Sequence, residues 1–133
     1  MVLLDFISNE LLREKVKRNG SGAYANSRFA SKMGVSCGAG VTNATLADQM
    51  AVVGAGAGQG QLPARLGPPV PLTLDRLLNK IKHRNPELMN FRVQGDRHIF
   101  IVCPEHTHGG AEGVYEFDVQ DFCAKCREAT NAL

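Results

Sequence analysis

The sequence predicts an α+β protein built as two parts around a Gly/Pro-rich linker. Three observations carry this. Apolar residues recur at helical spacing in residues 2–18 and again in 72–85. From Phe91 onward the period switches to strand-like alternation. Between the two helical stretches, residues 54–71 hold Gly54, Gly56, Gly58, Gly60 and Gly67 together with Pro63, Pro68, Pro69 and Pro71. Such glycines cost entropy to order and such prolines withhold backbone donors. The expected division is a helical region at 1–53, a flexible linker at 54–71 and a small α+β unit at 72–133.

The first helix rests on Leu4, Ile7 and Leu11 with Leu3, Leu12 and Val16. Arg13, Lys15, Lys17 and Arg18 crowd its last turns, where cations suit the helix dipole, and Asn19-Gly20 can end it. After a loop at 20–28, residues 28–36 have the shape of the first helix and turn of a helix-turn-helix, with Ala30 four residues before Gly34 and then Val35-Ser36. The Cys37-Gly38-Ala39-Gly40 that follows opposes a second helix there. The next helical start falls at Thr42 or Asn43, with Leu46, Met50 and Val53 behind it. Residues 50–60 approach a dinucleotide fingerprint, but Gln59 stands where its third glycine belongs and prolines replace the helix it needs.

In 72–85, Thr73 is the expected N-cap and Leu74, Leu77, Leu78 and Ile81 form an apolar stripe that Pro86 ends. Phe91–Val93 and His98–Val102 flank a turn containing Gly95-Asp96, which predicts a hairpin. Val114–Val119 alternates as a third strand. Asp121 is the expected cap of a final helix from Phe122.

Hydrophobic residues make up 44% of the chain and charged residues 21%, a globular rather than a disordered balance. Aromatics are only 6% and Trp is missing, so the core has to be mainly aliphatic. No apolar run reaches membrane-spanning length, and the opening Met1-Val-Leu-Leu, followed at once by Asp5, lacks the basic start of a signal peptide. The expected location is cytoplasmic, where close Cys/His clusters favour metal over disulfide. Charge is uneven: residues 1–33 hold six Lys/Arg against three acids and 72–92 five against two, whereas 93–133 hold three against seven.

The strongest chemical pattern is Cys103-Pro-Glu-His106 followed by Cys123-Ala-Lys-Cys126. Two ligand pairs, each separated by two residues, have the spacing of a tetrahedral zinc site. His108 competes with His106 for the fourth place, and Cys37 is left as a bystander. Over residues 91–133 the order hairpin, knuckle, strand, knuckle resembles the small zinc-ribbon and treble-clef folds. That resemblance implies a structural zinc, with the first pair on a turn leaving a hairpin and the second at a helix N-terminus, which lowers thiol pKa. Cys123-x-x-Cys126 also has the spacing of a redox pair. Cys103-Pro-Glu105 with Cys123-x-x-Cys126 is superficially that of a zinc deaminase, although Phe122 stands where the deaminase pattern has proline.

The expectation is therefore a small zinc-binding regulatory or adaptor protein that binds nucleic acid through Arg13, Lys15, Lys17, Arg18, Arg28 and Lys32 and through Arg76, Lys80, Lys82 and Arg84. A protein-interaction module with a structural zinc is the alternative, and a zinc-dependent hydrolase or deaminase ranks below it.

Overall fold

The computed structural model of the chain describes residues 2–106 and 112–133. Its centre is a five-stranded antiparallel sheet in the order β2-β1-β5-β4-β3. The strands are β1 (Ser36–Ala44), β2 (Val70–Thr73), β3 (Asn90–Gln94), β4 (Arg97–Val102) and β5 (Glu112–Asp118). Five α-helices accompany them among the described residues: α1 (Val2–Gly20), α2 (Arg28–Met33), α3 (Leu46–Gly54), α4 (Leu74–Lys82) and α5 (Val119–Asn131). The α+β class is as the sequence predicts.

The hairpin is also as expected. Val93 pairs with His98 and Gln94 with Arg97, and Gly95 takes φ 66° in the turn, a left-handed value that only glycine adopts without cost. In α4 the predicted stripe is fully buried, Leu74, Leu77, Leu78 and Ile81 all at 0% exposure. Burial stabilises each by about 1.5–3 kcal/mol relative to exposure.

The N-terminal half departs from the expected all-helical region. Residues 36–44, with two glycines and no alternating apolar pattern, form β1, which sits between β2 and β5. The glycines permit this. A Cβ at Gly40 would lie 2.1 Å from the Tyr115 ring, and Gly38 has φ +75° with its Cβ position 2.6 Å from the Glu116 carbonyl oxygen. Small residues thus let β1 lie close to β5, and neighbours on both edges supply the stability that its composition lacks. A strand at this point also removes the helix-turn-helix reading, because α2 is followed by β1 and not by a second helix. The sheet draws on 36–44, 70–73 and 90–118, so both halves contribute to one sheet.

The two sheet faces are covered unequally. Leu11 of α1, Phe29 and Met33 of α2, the α4 stripe and Phe122, Cys126 and Ala129 of α5 pack with Val102, Tyr115 and Phe117 on one face. On the other, Val52 of α3 joins Val41, Ala44, Ile101, Cys103 and Val114, with Leu62 and Leu66 against them. The stretch expected as a linker runs along this second face. Gly60 donates its N–H to the Phe91 carbonyl, Gln59 bridges to Arg92, residues 64–66 make a 3-10 turn, and Val70–Thr73 ends the stretch as β2.

Candidate functional site

α1 and α4 lie side by side as an antiparallel pair. Lys15 Nζ is 2.8 Å from Asp75 at the start of α4, and Asp5 is 2.7 Å from Arg84 Nη1 just past its end. The Arg84 guanidinium holds the Asp5 carboxyl below its ordinary value. Burial pushes Asp75 upward, but hydrogen bonds from Lys15 and Thr73 outweigh it and leave that carboxyl lowered too.

These contacts sort the ten expected phosphate-binding cations. Lys15 and Arg84 clamp the helix pair. Lys80 binds Glu112 at 3.3 Å and stands 5.0 Å over the Tyr115 ring. Arg18 pairs with Glu14 and stacks 5.6 Å from Phe29, and Lys32 reaches Glu128 at 3.7 Å. Arg13 meets Glu10 at 3.1 Å, but its side chain is 73% exposed, and such surface pairs contribute little. Lys17, Arg28, Arg76 and Lys82 are exposed and make no ion pair among the described residues. Where α1 meets α4, a cavity of about 420 Å³ is lined by Asn9, Leu12, Arg13, Val16 and Lys82. Asn9, Leu12 and Val16 were not among the expected site residues. Nothing in their own neighbourhood marks them, since the groove arises only when α4 is laid beside α1.

The four expected zinc ligands are not brought together. Cys103 follows β4 and packs on the second face among Val41, Ile101 and Val114. Cys126 belongs to the opposite core, with Phe122 and Ala129. Cys123 is exposed, on the wall of an apolar groove that includes Leu3, Phe100 and Val119. His106 is half-buried, and His108 lies outside the described residues. Among the described residues no group of three His, Cys, Asp or Glu side chains is placed to hold a metal ion.

Thiol chemistry agrees with that placement. Burial alone pushes Cys103 up to about 12. Burial, with Cys37 and Cys123 nearby, pushes Cys126 up to about 12, and burial beside Asp121 takes Cys37 to about 11. Burial among apolar neighbours thus favours the protonated thiol at Cys103 and Cys126. The expected helix start is three residues off. Asp118, not Asp121, caps α5 by accepting from Gln120 N–H at 2.9 Å. Cys123 and Cys126 therefore lie beyond its first turn, away from the unpaired N–H groups that would lower thiol pKa. The residues as arranged do not fit a tetrahedral zinc site.

Glu105, the general acid/base of the deaminase-like reading, is exposed. It lines a cleft of about 200 Å³ with Asn79, Lys80, His83 and Glu112. Cys103, two residues before it, faces the core instead.

No helix among the described residues is long and apolar enough to cross a membrane. The chain matches no known family model, no curated protein and no solved structure.

Proposed function

We propose that the chain is a nucleic-acid-binding adaptor that engages the phosphate backbone through the α1–α4 face. The observation that carries this is the groove between the two helices, with Arg13 and Lys82 on its walls and Asn9 available for hydrogen bonding. Lys17 and Arg76 are exposed on the same two helices, without acidic partners among the described residues. The ion pairs at the helix ends fix these helices against each other, so the cations are presented on a rigid surface. Engaging three or four phosphates gives a binding constant that falls with salt at a log–log slope of about −2 to −3 on a single strand and about −3 to −4 on a duplex. Fluorescence anisotropy with labelled single-stranded and duplex oligonucleotides across a salt series tests the reading. Arg13→Glu with Lys82→Glu should abolish binding and leave the fold intact. Binding that is unchanged by the double substitution, or insensitive to salt, defeats it.

The second reading, a protein partner, is favoured by a different observation. Leu3 and Phe6 are 69% and 62% exposed. Leu3 also lines an apolar groove of about 160 Å³ with Leu4, Ile7, Phe100 and Cys123. Binding there would be largely independent of salt.

A further inference from the structure

The groove between α1 and α4 is lined by more than phosphate alone would select. Leu12 and Val16 of α1 share it with Asn9, Arg13 and Lys82. Asn9, Leu12, Arg13 and Val16 fall at i, i+3, i+4 and i+7, so they occupy one helix face over two turns, about 10 Å. Leu12 is half-buried against the core cluster, whereas Val16 is 72% exposed. A phosphate gains nothing from two aliphatic side chains. A flat, weakly polar group does, because covering them removes apolar surface from water.

The polar groups of the lining are open to a ligand. The Asn9 side chain is exposed and makes no hydrogen bond among the described residues. Its amide offers two donors and an acceptor, which suits the edge of a base. Lys82, the last residue of α4, is exposed and makes no ion pair among the described residues. Arg13 meets Glu10 at 3.1 Å, but with side chains 73% and 44% exposed that pair contributes little and yields readily to a phosphate. Two cations, one amide and an aliphatic patch thus line a single space of about 420 Å³. That is within the range of small-ligand clefts, roughly 300–1,000 Å³.

We propose, resting on the nucleic-acid reading, that the groove takes an unpaired base of a single strand. Leu12 and Val16 lie against the face of the base, Asn9 meets its edge, and Arg13 and Lys82 hold the flanking phosphates. Concavity decides between single and double strands. A duplex is read by an element that projects into its own groove. Here the groups line a recess, so the ligand has to project into the protein, and bases do so only when splayed out of the stack. Lys17 and Arg76, exposed on the same two helices, extend the cationic surface to neighbouring phosphates. An aliphatic lining lacks the π-face of an aromatic platform, so the base adds a moderate increment to an affinity that phosphate contacts dominate.

Fluorescence anisotropy with the full chain compares labelled probes of equal length: a single strand, the same strand with abasic sites in place of its bases, and a duplex. The series is run in DNA and in RNA. In at least one of the two, the single strand should bind about tenfold more tightly than the abasic strand, the size of one good base contact. Asn9→Ala with Val16→Ser changes no charge and alters only exposed positions. That double variant should lose the preference while its circular dichroism spectrum and salt slope stay those of the wild type. A single strand that binds no more tightly than the abasic strand or the duplex, with the steep salt dependence kept, overturns the base site and leaves the phosphate-binding face standing. A preference that survives the double substitution overturns it as well. Salt-dependent binding of none of the probes overturns both.

Discussion

The side-chain nitrogen of Asn90 lies 2.7 Å from the Val52 carbonyl oxygen, tying the first residue of β3 to the end of α3. The same nitrogen donates to Gly56 at 2.9 Å, and the Asn90 side-chain oxygen accepts from Gly58 N–H at 3.1 Å and Phe91 N–H at 2.8 Å. One amide therefore satisfies four backbone groups and fastens the glycine-rich stretch to the sheet. Asn90→Ala leaves those groups without their partner, and each buried orphan costs about 1–3 kcal/mol. The expected result is a loss of several kcal/mol in urea unfolding, with faster hydrogen exchange confined to residues 52–60. Unchanged exchange in that stretch would show that the side chain does not hold it.

The α1–α4 clamp makes stability depend on pH at both ends. Asp5 and Asp75 have folded-state values below the ordinary 3.8, so their contribution is complete above that value and is lost as pH falls through the folded ones. Lys15 is raised above 10.5 by its hydrogen bond to Asp75, so its contribution is complete below that value and is lost as pH rises through the folded one. Melting temperature measured against pH should fall on the acid side below about 4. Asp75→Asn should flatten part of that fall, and an Asp75→Asn profile that overlays the wild type removes the clamp from the account.

How much of this was legible in the sequence depends on where the stabilising contacts lie. α4 and the β3–β4 hairpin carry their own signals: a four-residue apolar stripe in one, a glycine at a positive-φ turn in the other. β1 carries none, since Ser36–Ala44 is mostly small and polar and becomes a strand through its neighbours. The stretch 54–71 has the composition of a linker, but its ties run to Asn90, Phe91 and Arg92, more than thirty residues away for Gly56 to Gly60. The cysteine spacing was plain, but spacing along a chain does not say which sheet face each thiol meets. Cys103 and Cys126 are on different ones. Among the cations, sequence shows charge but not its partners. Lys15, Lys80 and Arg84 are claimed by acids 60, 32 and 79 residues away.

Gly40 offers a sharp test of the β1–β5 approach. A Cβ there would be 2.1 Å from the Tyr115 ring and 2.8 Å from the Val114 carbonyl oxygen. Tyr115 is 3% exposed, so its ring has little room to withdraw. Gly40→Ala should destabilise by about 1–3 kcal/mol, the usual cost of overpacking, whereas Gly54→Ala, with open space around its Cβ position, should not. Equal melting temperatures for the two variants would mean that β1 does not lie this close to β5.

The four thiols should separate by accessibility. Cys123 alone is exposed, while Cys37, Cys103 and Cys126 are buried. In native protein a thiol-titrating disulfide reagent should modify one cysteine per chain quickly and the other three only on unfolding, and Cys123→Ser should remove the fast phase. The buried three are held protonated up to about 11 or 12, against an ordinary value of 9.0. An unfolded chain gives up those protons first, so they lower stability progressively as pH rises from about 9. A zinc site made of Cys103, His106, Cys123 and Cys126 predicts the opposite pattern. Cys123 would be protected, Cys37 would be the only thiol outside the metal shell, and elemental analysis would find one zinc per chain. Protein purified without chelator should therefore be assayed for metal and thiols together. A fast Cys123 with no stoichiometric zinc supports the buried-thiol arrangement, and a protected Cys123 with one zinc per chain would return the metal reading to first place.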